Sequence, residues 1–205
     1  MSEKTRQITF TQEDMHSYLR QIYVKSTHSV LPRFRLRQIL NFEENERLLQ
    51  VSTDFCQSSF VIPSKGCHIV GFGKAVIGMA AEIQRILGPD RIQNLILSVP
   101  HGICDTMIAS GHSDFLPKPQ NGLKVFEGAK NNIPDEKSLE ASQEIENLVK
   151  SLDENDLLFV LVSGGGSALL PSPIAPLNLE GDFENLEYFF CALNQNHLFS
   201  QIKPR

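Results

Sequence analysis

The chain has 205 residues, 41% of them hydrophobic and 21% charged, with a formal net charge of −5, the make-up of a soluble globular protein with room for one domain and an arm or tail. That acidic balance argues against nucleic acid as a partner, since gripping its phosphates needs a surplus of Lys and Arg on one face. The longest apolar run, Leu157 to Val162, is far too short to cross a bilayer, and the N-terminus resembles neither a secretion signal nor a transit peptide, so a cytoplasmic chain with no membrane partner is expected.

In chain order, Gln12 to about Val30 reads as a helix, with Tyr18, Leu19, Ile22 and Tyr23 as an apolar stripe. The segment from Pro32 to Leu40 is basic, with Arg33, Arg35 and Arg37 at every second position; a solvated face fits better than an anion site. The region up to about residue 62 is expected to form an arm packed across the domain that follows. Cys56, Cys67, Cys104 and Cys191 form no CxxC or CxxH pair and are expected to behave as small buried hydrophobes in a reducing compartment. The six histidines are equally scattered, so no metal site is expected.

From Lys65 the pattern changes to alternating strands and helices. Cys67 to Val70 reads as a strand ending in Gly71-Phe72-Gly73-Lys74-Ala75. A helix follows, with Val76, Met79, Ala80, Ile83, Ile86 and Leu87 on one face, closed by Gly88-Pro89. Leu95 to Val99 is a second strand. Pro134-Asp135 opens another helix, capped by Asp135 and lined by Ala141, Ile145, Leu148, Val149 and Leu152. Leu157 to Val162 is a third strand, apolar enough to be covered on both sides, and ends in Ser163-Gly164-Gly165-Gly166-Ser167. This order predicts a parallel sheet with helices on both faces, and ligands in such sheets sit beyond the carboxyl ends of the strands. Both glycine-rich turns fall there.

At the first turn, glycines let backbone N–H groups approach an anion at a helix N-terminus, and Lys74 adds a full positive charge. It is not a dinucleotide fingerprint, because Val76 stands where a third small residue is needed, nor a P-loop, because Ala75 and His68 break that pattern. The second turn offers several N–H donors and two hydroxyls to a phosphate or carboxylate. It is not a hydrolase elbow, since Leu169 takes the place of the last glycine. The residues alone thus describe an anion-binding α/β domain.

The stretches Val70 to Ala75 with Gly78-Met79-Ala80, and Val162 to Pro171, closely resemble the two-domain class of the glycerate kinase family. Ser98-Val99-Pro100-His101-Gly102, Phe126-Glu127-Gly128-Ala129 and Asn132-Ile133-Pro134-Asp135 support the resemblance, which runs from Gln38 to Leu179. His101 stands where a lysine is common in relatives. The resemblance implies an α/β, three-layer Rossmann-like domain with a mainly parallel sheet, incomplete relative to the family. It divides the chain into an N-terminal arm (1–37), the partial kinase domain (38–179) and a divergent tail (180–205). It also implies ATP-dependent phosphorylation of D-glycerate with Mg2+ carried on the nucleotide. Lys74 is then the active-site lysine, with Gly71, Gly73, Ser163, Gly164, Gly165, Gly166 and Ser167 binding substrate or nucleotide. Beyond Leu179 the family pattern stops; Leu186, Phe189, Phe190 and Leu193 could form an amphipathic helix. A truncated form, inactive by itself, is therefore expected, and a homodimer is an open expectation. The alternatives are a non-catalytic isoform binding an anion or a partner, and a phosphosugar-binding or isomerase-like domain.

Overall fold

A computed structural model describes residues 11–172. Two helices, α1 (Gln12–Val30) and α2 (Pro32–Ile39), lead into an antiparallel meander of β1 (Leu40–Glu43), β2 (Leu48–Ser52) and β3 (Gln57–Val61). The α/β part then runs β4 (Cys67–Phe72), α3 (Val76–Leu87), β5 (Ile92–Pro100), α4 (Ile103–Ala109), β6 (Leu123–Gly128), α5 (Glu136–Ser151), β7 (Leu158–Val162) and α6 (Gly166–Leu169). Its four strands lie in the order β6-β5-β4-β7, every neighbouring pair parallel. The α/β fold and the parallel sheet flanked by helices agree with the sequence reading.

Alternation along β4 sorts the core into two layers. Ile69 joins Leu95, Leu97 and the α3 residues Val76, Ala80, Ile83 and Leu87 on one face. Val70 and Phe72 join Ile96, the α5 residue Ile145, and Ala168, Leu169 and Leu170 on the other. The path explains this division. It steps from β4 outward to β5 and β6, then returns to place β7 on the far side of β4, and right-handed crossovers put the outward and returning helices on opposite faces. The direction reverses between β4 and β7, the place where ligands bind in open α/β sheets.

Several local expectations are corrected. Residues 40–61 form the meander, whose Leu49, with Ile62 just beyond β3, is buried in the α3-side core; this part of the expected arm is built into the domain. Among the described residues the stripe on α1 covers nothing, since α1 has no buried residue. Between Pro100 and Pro134 lie α4 and β6, both unforeseen. The β6 segment reads less clearly as a strand because Lys124 and Glu127 interrupt its apolar residues. β7 is the sheet's edge among the described residues, and Val160 and Val162 are exposed. The expected helix at 186–193 lies outside the described residues. Cys67 is buried as expected, Cys104 is half-buried and Cys56 is exposed.

The basic segment is helical, which separates its three arginines. Arg33 pairs with Asp114 at 2.9 Å, and Arg35 bonds Gln38. Arg37 pairs with Glu82, a fully buried α3 carboxylate that also receives Arg85 at 2.6 Å. A buried charge is tolerable only when paired, so Arg37 fastens α2 to α3 and is more than a solvated face. Arg37→Ala is expected to cost about 1–2 kcal/mol, below the usual penalty for a broken buried pair because Arg85 remains. Urea unfolding measures it.

At the amino ends of the strands, Asp156 joins three chain segments. Its carboxylate accepts from the Asp153 N–H (2.9 Å), pairs with Lys65 (2.7 Å), and lies 3.4 Å from Nε2 of buried His68. On the other side of that ring, Nδ1 is 3.0 Å from the Asn94 amide nitrogen. The Asp153 N–H and the Lys65 ammonium hold the Asp156 carboxyl down to about 2. A depressed carboxyl contributes stability that is complete above its unfolded value and is lost as pH falls through the folded one. Stability is therefore expected to drop between about pH 4 and pH 2, with a shallower slope in Asp156→Asn, as read by denaturant unfolding across that range.

Candidate anion site at the carboxyl rim

The register Phe72↔Val162 brings the turns after β4 and β7 side by side, and they interlock. The Lys74 N–H donates to the Gly164 carbonyl (3.0 Å), the Ser163 N–H to the Phe72 carbonyl (3.3 Å), and the Gly73 N–H to Ser98 on β5 (3.1 Å). The Ala75 N–H donates to Ser163 Oγ at 3.0 Å. Gly73 has φ +133°, and a Cβ there would stand 2.3 Å from Ser163 Oγ. Only glycine allows both that backbone and that approach. Behind the second turn, the Ser98 hydroxyl donates to the Leu169 carbonyl (2.5 Å), tying α6 to the sheet.

This interlock decides where Lys74 lies. Gly165 has φ +89°, and a Cβ on it would meet Lys74 Cε at 3.1 Å and Cγ at 3.4 Å. The Lys74 chain therefore runs along Gly165, carrying its exposed ammonium to the second turn. Gly166 has a different task, since its Cβ would stand 2.9 Å from the Phe72 ring. Ser167 is exposed on α6 and Gly164 has open space around its Cα hydrogens. Gly71 sits elsewhere. It is buried within β4, where a side chain would press on Leu97, Leu161 and Val76, so its smallness serves helix–sheet packing and it is corrected from a rim residue to a core one.

The donor inventory discriminates among the turns. The N–H groups of Lys74 and Ala75 are engaged by the second turn, so the first contributes its ammonium more than its amides. The N–H groups of Gly164, Gly165 and Gly166 donate to no protein group among the described residues, and neither does the Ser163 hydroxyl, which only accepts. Unpaired donors in a glycine turn suit an anion.

On the β5–β6 side the equivalent donors are already taken by carboxylates that the sequence reading had given no role in a site. Glu127 accepts from the N–H groups of Gly102 (2.6 Å) and Cys104 (3.1 Å). Burial pushes its carboxyl up, but the Cys104 thiol and N–H, the Gly102 N–H and the charge of His101 together bring it below the usual range. Burial and the adjacent Glu127 push the Cys104 thiol up to about 12, leaving it protonated and unreactive. Asp135 caps α5 by accepting from the Ser138 N–H at 2.9 Å. Burial again works against its ionisation and is outweighed by Ser138 and by the N–H groups of Ala129 and Lys130. Ala129, Asn131 and Asn132 take left-handed φ values of 53°, 59° and 60° in that loop. The one signal for Glu127 in the sequence is an acidic residue at the very end of a strand. Its donors lie more than twenty residues upstream, and nothing in the pattern links them.

Among the described residues no three His, Cys, Asp or Glu side chains gather as a metal cage, and no helix is long and apolar enough to cross a membrane. Fold and rim together define a Rossmann-like α/β domain with a lysine and a set of N–H groups, unpaired among the described residues, at its topological switch point. The chain belongs to the family described as Domain of unknown function (DUF4147), whose model matches residues 18–187. It is similar to human glycerate kinase, 42% identical over 161 residues that make up 78% of this chain and 30% of that one. A putative hydroxypyruvate reductase from Agrobacterium vitis is 31% identical over 55% of this chain and 26% of its own length. Among solved structures, Thermotoga maritima glycerate kinase superposes with a TM-score of 0.56 at 21% identity, over 89% of this chain and 35% of that one, a likeness of fold. The chain thus spans about 30% of the length of the first curated relatives it matches.

Gly73→Ala is expected to lower stability by more than about 2 kcal/mol, combining left-handed strain with the collision at Ser163. Gly164→Ala, which meets no neighbour within 4 Å, should cost under about 1 kcal/mol. Parallel urea titrations compare the two.

Proposed function

We propose that this domain supplies the anion-binding wall of a glycerate kinase cleft, where ATP-dependent phosphorylation of D-glycerate takes place. The observation that carries the reading is the Lys74 side chain laid along Gly165, beside N–H groups that have no protein acceptor among the described residues. Two anions meet in such a reaction, a carboxylate on the acceptor and a phosphoryl group on the nucleotide. A fixed cation with unpaired amides can hold either, and phosphoryl transfer depends mainly on positioning and on offsetting charge. The names of the relatives add support, since glycerate and hydroxypyruvate are the same three-carbon acid in two oxidation states.

In this reading Lys74 offsets charge on the bound anion, the Ser163 hydroxyl and the N–H groups of Gly164, Gly165 and Gly166 bind it, and Ser167 adds an exposed hydroxyl. Gly73 acts indirectly by allowing the turns to close on each other. ATP supplies the phosphoryl group and Mg2+ arrives on its phosphates, a mode that usually needs few protein ligands. The compartment is the cytoplasm, where unpaired thiols such as Cys67 and Cys104 stay reduced. Turnover also needs an opposing wall to exclude water and align the nucleotide. Because the chain spans about 30% of its kinase relatives, the 205 residues alone are expected to bind substrate without turnover.

The test pairs binding with activity. D-glycerate or ATP should raise the melting temperature of the chain, and Lys74→Ala should weaken that binding about tenfold or more by removing the charge-assisted contact. A coupled assay should detect no glycerate-dependent ATP consumption by the chain alone. Protection by sugar phosphates but not by glycerate would favour a phosphosugar-binding domain. Protection by neither would remove the anion-site reading.

A further inference from the structure

The described residues leave one amphipathic element without a partner. Helix α1 is 19 residues long and buries none of them. Met15, Tyr18, Leu19, Ile22 and Tyr23 recur at i, i+3, i+4, i+7 and i+8, one face of a helix, yet each is between 45% and 69% exposed. The helix is firmly started. Thr11 and Asp14 form a reciprocal capping box, and its last turn is held to α2 by the stack of His28 on Phe34. It therefore stands as a formed helix of about 28 Å with an uncovered apolar stripe.

The charges flanking that stripe say what fits it. Asp14 and Lys25 are eleven residues apart, about three whole turns, and so lie along one flank. Glu13 and Arg20 fall on the back of the helix, beyond His16 and Thr27, which border the stripe on its other side. In an antiparallel pair of identical helices the Asp14–Lys25 flank faces its own reversed copy, which sets acid against base twice. In a parallel pair it faces the flank of His16 and Thr27, where no carboxylate stands and neither ion pair forms. We propose that α1 is a self-association surface on which two copies of this chain pair antiparallel, with the stripes meeting and Asp14 of each copy opposite Lys25 of the other. A symmetric pair of this kind is self-complementary, so one surface serves both copies. It is distinct from the carboxyl rim and independent of the activity proposed there.

The experiment uses the whole 205-residue chain in sedimentation equilibrium at low salt. A dimer forming between about 1 and 100 μM is expected, the range of a small interface. Leu19→Glu should abolish it with the melting temperature of the monomer unchanged, because α1 supports no core residue. Lys25→Glu and Asp14→Lys should each weaken self-association about tenfold, since both cross-pairs become like-charged. Mixed in equal amounts, those two variants should associate again at the wild-type level, because every cross-pair is then of opposite sign. This recovery is beyond the reach of a variant that merely frays the helix. A monomeric wild-type chain, a dimer indifferent to Leu19→Glu, or a mixture that fails to recover would overturn the proposal. So would a monomer that binds anionic phospholipid vesicles through this stripe, or one that Leu19→Glu destabilises, which would mean that the chain's own residues cover it.

Discussion

The organisation of the site depends on the contact between Gly73 and Ser163. Parallel pairing of β4 and β7 brings the two turns level, and the missing side chain at Gly73 lets Ser163 come close enough to receive the Ala75 N–H. Once that contact is made, the Lys74 N–H meets the Gly164 carbonyl and the Lys74 side chain has a backbone track along Gly165. A lysine carries much rotamer entropy and would otherwise sample open solvent. Here its stem is confined by a turn formed some ninety residues later in the chain, so the position of the charge is a tertiary property.

The rim is also asymmetric in a way that bears on recognition. On the β5–β6 side the chain fills its own N–H cradles with Glu127 and Asp135. Those carboxylates rigidify the loops and repel other anions. On the β4–β7 side the cradle remains open and has a cation beside it. The positive potential of the carboxyl edge is thereby gathered at the switch point of the sheet, where open α/β sheets bind their ligands.

Much of this was legible in the sequence because it is local. The α3 stripe, the Asp135 cap, the two glycine turns and their placement at one rim follow from periodicity and turn chemistry, and the structure lays the Lys74 stem next to Gly165 of the second turn. What escaped is non-local. The role of Gly71 in packing depends on Leu97 and Leu161 from other strands, and the grip of Glu127 depends on a turn on the neighbouring strand. Arg37 reads as a surface residue until Glu82, on another helix, is seen to be buried beneath it. β6 escaped because its polar residues dilute the apolar signal. β7 misled for the opposite reason, since a continuous apolar run signals two-sided cover and says nothing about which segment supplies it.

The interlock is most directly tested by amide hydrogen exchange at Ala75 in the wild-type chain and in Ser163→Ala. The account predicts a protected Ala75 amide that exchanges markedly faster once the Ser163 hydroxyl is removed, while the amides of β4 keep their protection. An Ala75 amide that exchanges at the rate of an open loop in the wild-type chain, or one unaffected by Ser163→Ala, would contradict it.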